Sequence, residues 1–162
     1  MGARGGFFCL VITAIALATV VVGSAFAAEL TRGEYVDQAE AICKTGTKKS
    51  SPLLSKGLTE LKENKVESAG PKFITTAASF DAARAKLTKI PKPADDADEL
   101  GEWLSLLKVQ NFFLRKAGKA LGEGERVRAQ GYLSRFVHNG NLANDTVLGY
   151  GFKYCLFNKH FK

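Results

Sequence analysis

Leu100-Gly101-Glu102-Trp103-Leu104-Ser105-Leu106-Leu107-Lys108-Val109-Gln110-Asn111-Phe112-Phe113-Leu114 is the stretch that decides the fold. Leu100, Trp103, Leu104 and Leu107 recur at helical spacing and continue through Leu114 and Leu121. Leu106, Val109, Phe113, Ala117 and Ala120 form a second stripe beside the first, leaving Ser105, Lys108, Arg115 and Lys119 for the polar side. A helix apolar over so wide an arc belongs at the centre of a bundle. Trp103 reads as a core anchor. Phe112 falls among the polar positions, as a scattered exposed aromatic does.

Outward from this helix the chain reads as further helices. Upstream, Asp95, Asp96, Asp98 and Glu99 crowd its first turn, where negative charge complements the helix dipole. The same carboxylates lack the glycine and distal glutamate of an EF-hand loop, so no calcium site is assigned. Before them Ile90-Pro91-Lys92-Pro93 is a loop, since two prolines this close cannot continue a helix. A preceding helix carries Phe73, Ile74, Ala77, Phe80, Leu87 and Ile90 on its apolar side, and Ser68-Ala69-Gly70-Pro71 is read as the break before it. Ser50-Ser51-Pro52 is read as the start of a helix bearing Leu54, Leu58 and Leu61, with serine as cap and proline at the first helical position. The first helix opens on the capping box Thr31-Arg32-Gly33-Glu34 and turns Tyr35, Val36, Ala39, Ile42 and Cys43 to one side. Downstream, Gly122-Glu123-Gly124-Glu125 makes a turn. The last helix then holds Ala129, Tyr132, Leu133, Phe136, Gly140, Ala143 and Val147 in phase across His138-Asn139-Gly140-Asn141. No strand-period run and no internal repeat interrupts the pattern. The expected fold is all-α, an up-and-down bundle of four or five helices over residues 28–155.

The N-terminus reads as a targeting segment. Arg4 precedes an uncharged, mostly apolar run from Phe7 to Val22, and Ala25-Phe26-Ala27 gives the small-residue exit that signal peptidase reads. Residues 1–27 are therefore expected to be a signal peptide. The alternative is an uncleaved anchor, because residues 5–28 would reach ~36 Å as a helix, enough to cross a bilayer. The domain lies outside the cytoplasm on either reading, and contact with a membrane is expected only through this segment if it is retained. Cys9 stands at the start of the apolar run and not at its exit, unlike a lipidated cysteine.

Cleavage after Ala27 leaves 135 residues, one domain's worth, with a formal charge of +6 once Arg4 is removed from the chain's +7. Two cysteines remain, Cys43 and Cys155, one near each end. In an exported protein such a pair points to one structural disulfide, with two free thiols as the alternative. There is no Cys-x-x-Cys, and His138 and His160 show no ligand spacing with either cysteine, so no metal is assigned. Residues 156–162, Leu-Phe-Asn-Lys-His-Phe-Lys, form a short basic and aromatic tail.

Tyr35-Val36-Asp37-Gln38-Ala39-Glu40-Ala41-Ile42-Cys43 after a signal segment, the Pro91-Lys92-Pro93 loop, Trp103 in the next helix and Tyr150-Gly151-Phe152-Lys153-Tyr154-Cys155 near the end carry a resemblance. Together they resemble a broad group of small bacterial exported helical proteins that have no assigned activity. The resemblance implies a helical bundle with a terminal cysteine pair and supplies no catalytic residue. The tail departs from the group, whose members tend to stop at or just after the last cysteine.

Function is less legible than fold. The sequence holds no His-Glu-x-x-His, no Gly-x-Ser-x-Gly, no phosphate-cradling glycine loop and no zinc quartet, so no catalytic residue and no cofactor is assigned. Basic residues are spread along every helix of an exported domain, which argues against nucleic acid. The expectation is a non-enzymatic binding or interaction module of the cell envelope, with an anionic component or a protein as partner. The alternative is a carrier of a small apolar ligand or lipid in the bundle core, lined by Phe73, Phe80, Trp103, Phe113 and Phe136.

Overall fold

A computed structural model describes residues 30–156. The expected signal peptide, residues 1–27, and all of the tail beyond Leu156 lie outside the described residues. Four α-helices follow one another: α1 (Arg32–Lys62), α2 (Val66–Leu87), α3 (Ala97–Gly122) and α4 (Arg126–Thr146). Short 3-10 turns at Ala94–Asp96 and Leu148–Tyr150 precede α3 and follow α4, and the described residues contain no strand. Each helix packs on its neighbours in sequence, α1 on α2, α2 on α3 and α3 on α4.

The capping box at the start of α1 forms as expected, with the Thr31 amide donating to Glu34 Oε2 at 2.9 Å and the Glu34 amide donating to Thr31 Oγ1 at 3.3 Å. The helix restart read at Ser50-Ser51-Pro52 does not occur: α1 runs through Pro52 without a break. The reason is phase. Tyr35, Ala39, Cys43, Ser50, Leu54, Gly57 and Leu61 are all buried along one continuous stripe, and exposed Pro52 lies off it. Burial of that stripe outweighs the backbone hydrogen bond that proline removes. Pro71 is likewise inside α2, so the break read at Ser68–Pro71 is also corrected.

The true corner is Asn64, a non-glycine residue with φ of 63°. Asn64 N–H donates to Leu61 O at 3.2 Å and Lys65 N–H to Glu60 O at 2.7 Å, a Schellman closure with asparagine in the left-handed position. The same device ends α3: Gly124 has φ of 75°, its amide donates to Leu121 O, and Glu125 N–H donates to Ala120 O. Arg126 joins the two corners by donating to the Asn64 side chain. His138–Asn141 remain inside α4, as the surviving phase predicted.

The interior divides into two apolar clusters. One gathers Tyr35, Ala39, Leu100, Trp103, Val147 and Phe152 around the N-terminal halves of α1 and α3. The other gathers Leu54, Phe73, Leu114, Leu121 and Phe136 at the opposite end. Between α2 and α3 the backbones touch: a Cβ built on Gly118 would sit 2.8 Å from Gly70 O and 2.7 Å from Ile74 Cγ1. Gly118→Ala is therefore expected to destabilise the fold by ~1–3 kcal/mol through overpacking. Gly101→Ala, on the same helix with nothing within 4 Å of its Cβ, should stabilise by about 0.5–1 kcal/mol. Denaturant midpoints of the two variants check the contrast, and equal shifts would contradict the close crossing.

The C-terminal segment is clamped over the first cluster. Cys43 and Cys155 are bonded, with sulfurs 2.08 Å apart. Glu40 accepts from three consecutive backbone amides, those of Lys153, Tyr154 and Cys155, at 2.9, 2.9 and 3.2 Å. Trp103, Phe152 and Tyr150 stack in series with centroids 5.3 and 5.7 Å apart. Asp96 is buried and held by the Arg32 guanidinium, whose Nε donates to Oδ2 at 2.9 Å. Hydrogen bonding to Arg32 keeps the Asp96 carboxyl below its ordinary range against the opposing cost of burial. The acidic cluster expected at the start of α3 thus contributes a specific buried partner as well as a favourable dipole contact.

Candidate functional site

Where the C-terminal segment crosses the bundle it roofs a cleft between α1, α2 and α3. From α1 come Cys43, Gly46 and Thr47. Gly46 allows the helices to close on this side, since a Cβ there would lie 3.2 Å from Ala83 Cβ. From α2 come Phe80, Ala83, Arg84 and Leu87, and from α3 Leu107, Gln110 and Asn111. Tyr154, Cys155 and Leu156 complete the wall. Thr47 Oγ1 donates to Tyr154 O at 3.3 Å, which ties this wall to α1 one turn beyond the disulfide.

The walls are mainly apolar, but polar side chains are set into them. Gln110 is 5% exposed and Asn111 3% exposed. The Asn111 Nδ2 group donates to Ala77 O at 3.0 Å and to Asp81 Oδ1 at 2.9 Å. Both partners are acceptors, so the orientation of this amide is fixed and its oxygen is the group left over. Asn111 Oδ1, Gln110 Nε2 and Arg84 Nε are buried and have no hydrogen-bond partner among the described residues. Buried polar groups are nearly always satisfied, so these three atoms, each in a residue that lines the cleft, are exceptions to that rule.

Asp81 organises the charges beside the cleft. It pairs with Arg115, accepts from Asn111, and has its Oδ1 4.0 Å from Arg84 Nε. Two guanidinium groups against one carboxylate leave a local positive excess. Across Tyr154 a shallower groove of about 400 Å³ runs past Lys44, Thr47, Lys48, Ser51 and Pro52. Lys44 Nζ stands 5.3 Å from the centroid of the Tyr154 ring. An apolar slot and a basic groove therefore share one aromatic wall.

The residues singled out from sequence are distributed unevenly around this site. Cys43 and Cys155 meet and both line the cleft. Phe80 borders it. Phe73 and Phe136 are packed in the second cluster with Phe113 against them, and Trp103 belongs to the first, so the five rings are not gathered around one chamber. Phe112 is 51% exposed, with Lys116 Nζ 5.5 Å from its ring centre. His138 is exposed on α4. Arg84, Gln110 and Asn111 were not singled out. The available signal was a consecutive pair of amides set between the apolar stripes of α3.

Among the described residues, no three His, Cys, Asp or Glu side chains come together as a metal site requires. No helix there is long and apolar enough to cross a membrane. Compared with protein-family models, curated proteins and solved structures, the chain matches none.

Proposed function

We propose that this chain works outside the cytoplasm, in the cell envelope, as a non-enzymatic binding module for anionic components. Export rests on the signal-like first 27 residues and agrees with a disulfide that needs an oxidising compartment. The observation that carries the binding reading is the cleft with its adjoining groove. Arg84 lines the cleft and Lys44 and Lys48 line the groove beside it, on a domain whose formal charge is already +6 without residues 1–27. Clustered cations beside an apolar recess favour a partner with negative charge and some apolar surface. The alternative, a carrier with its ligand in the bundle core, draws little support from Phe73 and Trp103, which are fully buried against their neighbours in separate clusters.

Co-sedimentation of the mature, oxidised protein with its own envelope fraction tests the proposal. Binding should fall steeply between about 0.05 and 0.5 M salt, because screening shortens the reach of exposed charges several-fold over that range. Binding that ignores salt, or no binding at low salt, would overturn it.

A further inference from the structure

Lysine and arginine occur on every helix, but Asp and Glu do not accompany them evenly. Residues 41–59, the middle of α1, hold Lys44, Lys48, Lys49 and Lys56 and no acid. Residues 82–94, from the last turns of α2 into the loop before α3, hold Arg84, Lys86, Lys89 and Lys92 and again no acid. Of the 22 Lys and Arg that follow Arg4, these eight have no acid in their own stretches, and the other 14 are outnumbered by 16 Asp and Glu. The positive balance of the domain is therefore local. The two stretches lie side by side, since α1 packs on α2 and a Cβ on Gly46 would sit 3.2 Å from Ala83 Cβ.

Lys44, Lys48, Lys49, Lys56, Lys86 and Lys89 are all exposed. Those on α1 span ~18 Å at 1.5 Å per residue. Packed helix axes lie ~8–10 Å apart, about one Debye length, so charges on both helices act together on a partner. The fold does not neutralise them. Lys44, Lys48 and Lys49 form no ion pair among the described residues. The bordering carboxylates are taken up elsewhere: Glu40 by the amides of Lys153, Tyr154 and Cys155, Glu60 by Lys72 at 2.7 Å, and Asp81 by Arg115. Lys44 and Lys48, four apart on one helix, repel each other, and a partner that brings negative charge relieves that cost.

The make-up of the face limits what that partner is. Seven of the eight cations are lysines, which act as point charges and lack the planar fork with which arginine grips one carboxylate or phosphate. Among the described residues the exposed large apolar side chains, Val109, Phe112, Val127, Val137, Leu142 and Leu148, belong to α3, α4 and the turn after α4. None is on α1 or α2, whereas a helix that lies in a bilayer surface buries an apolar face there. A solvated chain of repeated charges fits this face better than lipid does. From the asymmetry we infer that the exposed face of α1, with the adjoining end of α2, is a docking surface for a linear polymer that carries a negative charge on each repeat. The polymer runs along the α1 lysines, with the groove lined by Lys44, Lys48 and Tyr154 at its edge. The assignment rests on the binding-module reading and names its surface and its partner.

The test is calorimetric titration of the oxidised protein from residue 28 onward with long-chain polyphosphate, orthophosphate and phosphatidylglycerol vesicles. Two triple variants lower the net charge equally and change only exposed side chains: Lys44→Gln/Lys48→Gln/Lys49→Gln on α1 and Lys108→Gln/Lys116→Gln/Lys119→Gln on α3. Polyphosphate should bind, and its affinity should fall at least about tenfold between about 50 and 200 mM salt as counterions are released at several lysines. The α1 variant should weaken binding by about tenfold or more and make it less steep in salt, while the α3 variant should change it by less than about threefold. Equal losses in both variants would mean that net charge alone attracts the polymer. Orthophosphate binding as tightly as polyphosphate would mean a single-anion pocket, and vesicles binding more tightly than either would mean a membrane surface. Each of these results overturns the assignment, as does the absence of polyphosphate binding at low salt. If polyphosphate fails while salt-sensitive envelope binding persists, the surface assignment falls and the binding-module reading stands.

Discussion

Cys43→Ser/Cys155→Ser is expected to unfold about 4–5 kcal/mol more easily than the oxidised protein. The bond joins residues 112 apart, so it closes nearly the whole described chain into one loop. On the chain-entropy model such a loop removes ~4–5 kcal/mol of freedom from the unfolded state. The native segment has other attachments. Glu40 still accepts from the amides of Lys153, Tyr154 and Cys155, and Phe152 still stacks on Trp103. The double variant should therefore keep its helical signal under native conditions while its denaturation midpoint falls and its m-value rises, since an uncrosslinked chain exposes more surface on unfolding. Guanidinium titration of the two forms checks this. A loss below about 1 kcal/mol would mean that residual structure in the unfolded chain already brings the two ends together.

What could be read in advance follows the range of the interactions. Thr31 and Glu34 were legible because a capping box lies within four residues. Cys43 and Cys155 were legible because reading residues 1–27 as a signal peptide leaves only these two cysteines to pair. The unbroken phase from Ala129 to Val147 predicted one helix across His138–Asn141, and α4 is continuous there. Pro52 and Pro71 misled for a complementary reason. A proline is a strong local signal against helix, worth about 3 kcal/mol in a helix interior, yet the buried stripe of α1 continues past it. The corner was instead at Asn64, an asparagine in a left-handed conformation that carries a much weaker turn signal than the Gly124 of the matching corner.

The cleft was the least legible feature. That Gln110 and Asn111 are buried could be suspected from their place between two apolar stripes. That both line one cleft with Arg84 depends on the packing of α2 against α3 and on Asp81 capturing the Asn111 amide. No periodicity in a single helix contains that information. The same holds for Glu40, which on α1 alone is an ordinary polar position but in the fold receives three amides from residues more than 110 positions away.

Trp103→Ala should be the most damaging single substitution in the interior, at about 3–5 kcal/mol. Trp103 is fully buried and stacks on Phe152, which stacks in turn on Tyr150. Deleting the indole leaves a cavity under the C-terminal segment and removes a ring contact worth a further ~0.5–1.5 kcal/mol beyond its buried area. Trp103→Phe separates these effects. It keeps an aromatic partner for Phe152 and also removes the indole N–H, which is buried with no partner among the described residues. An unmatched buried donor costs about 1–3 kcal/mol, so its removal offsets part of the lost volume. Phenylalanine should therefore retain well over half of the stability that alanine loses. Phe112→Ala is the half-exposed comparison on the same helix: it loses an edge contact with Phe113 and about half of its burial, and should cost about 1 kcal/mol, well below Trp103→Ala. Denaturation midpoints of the three variants decide the matter. If Trp103→Phe is as harmful as Trp103→Ala, the indole N–H has a partner that completes it.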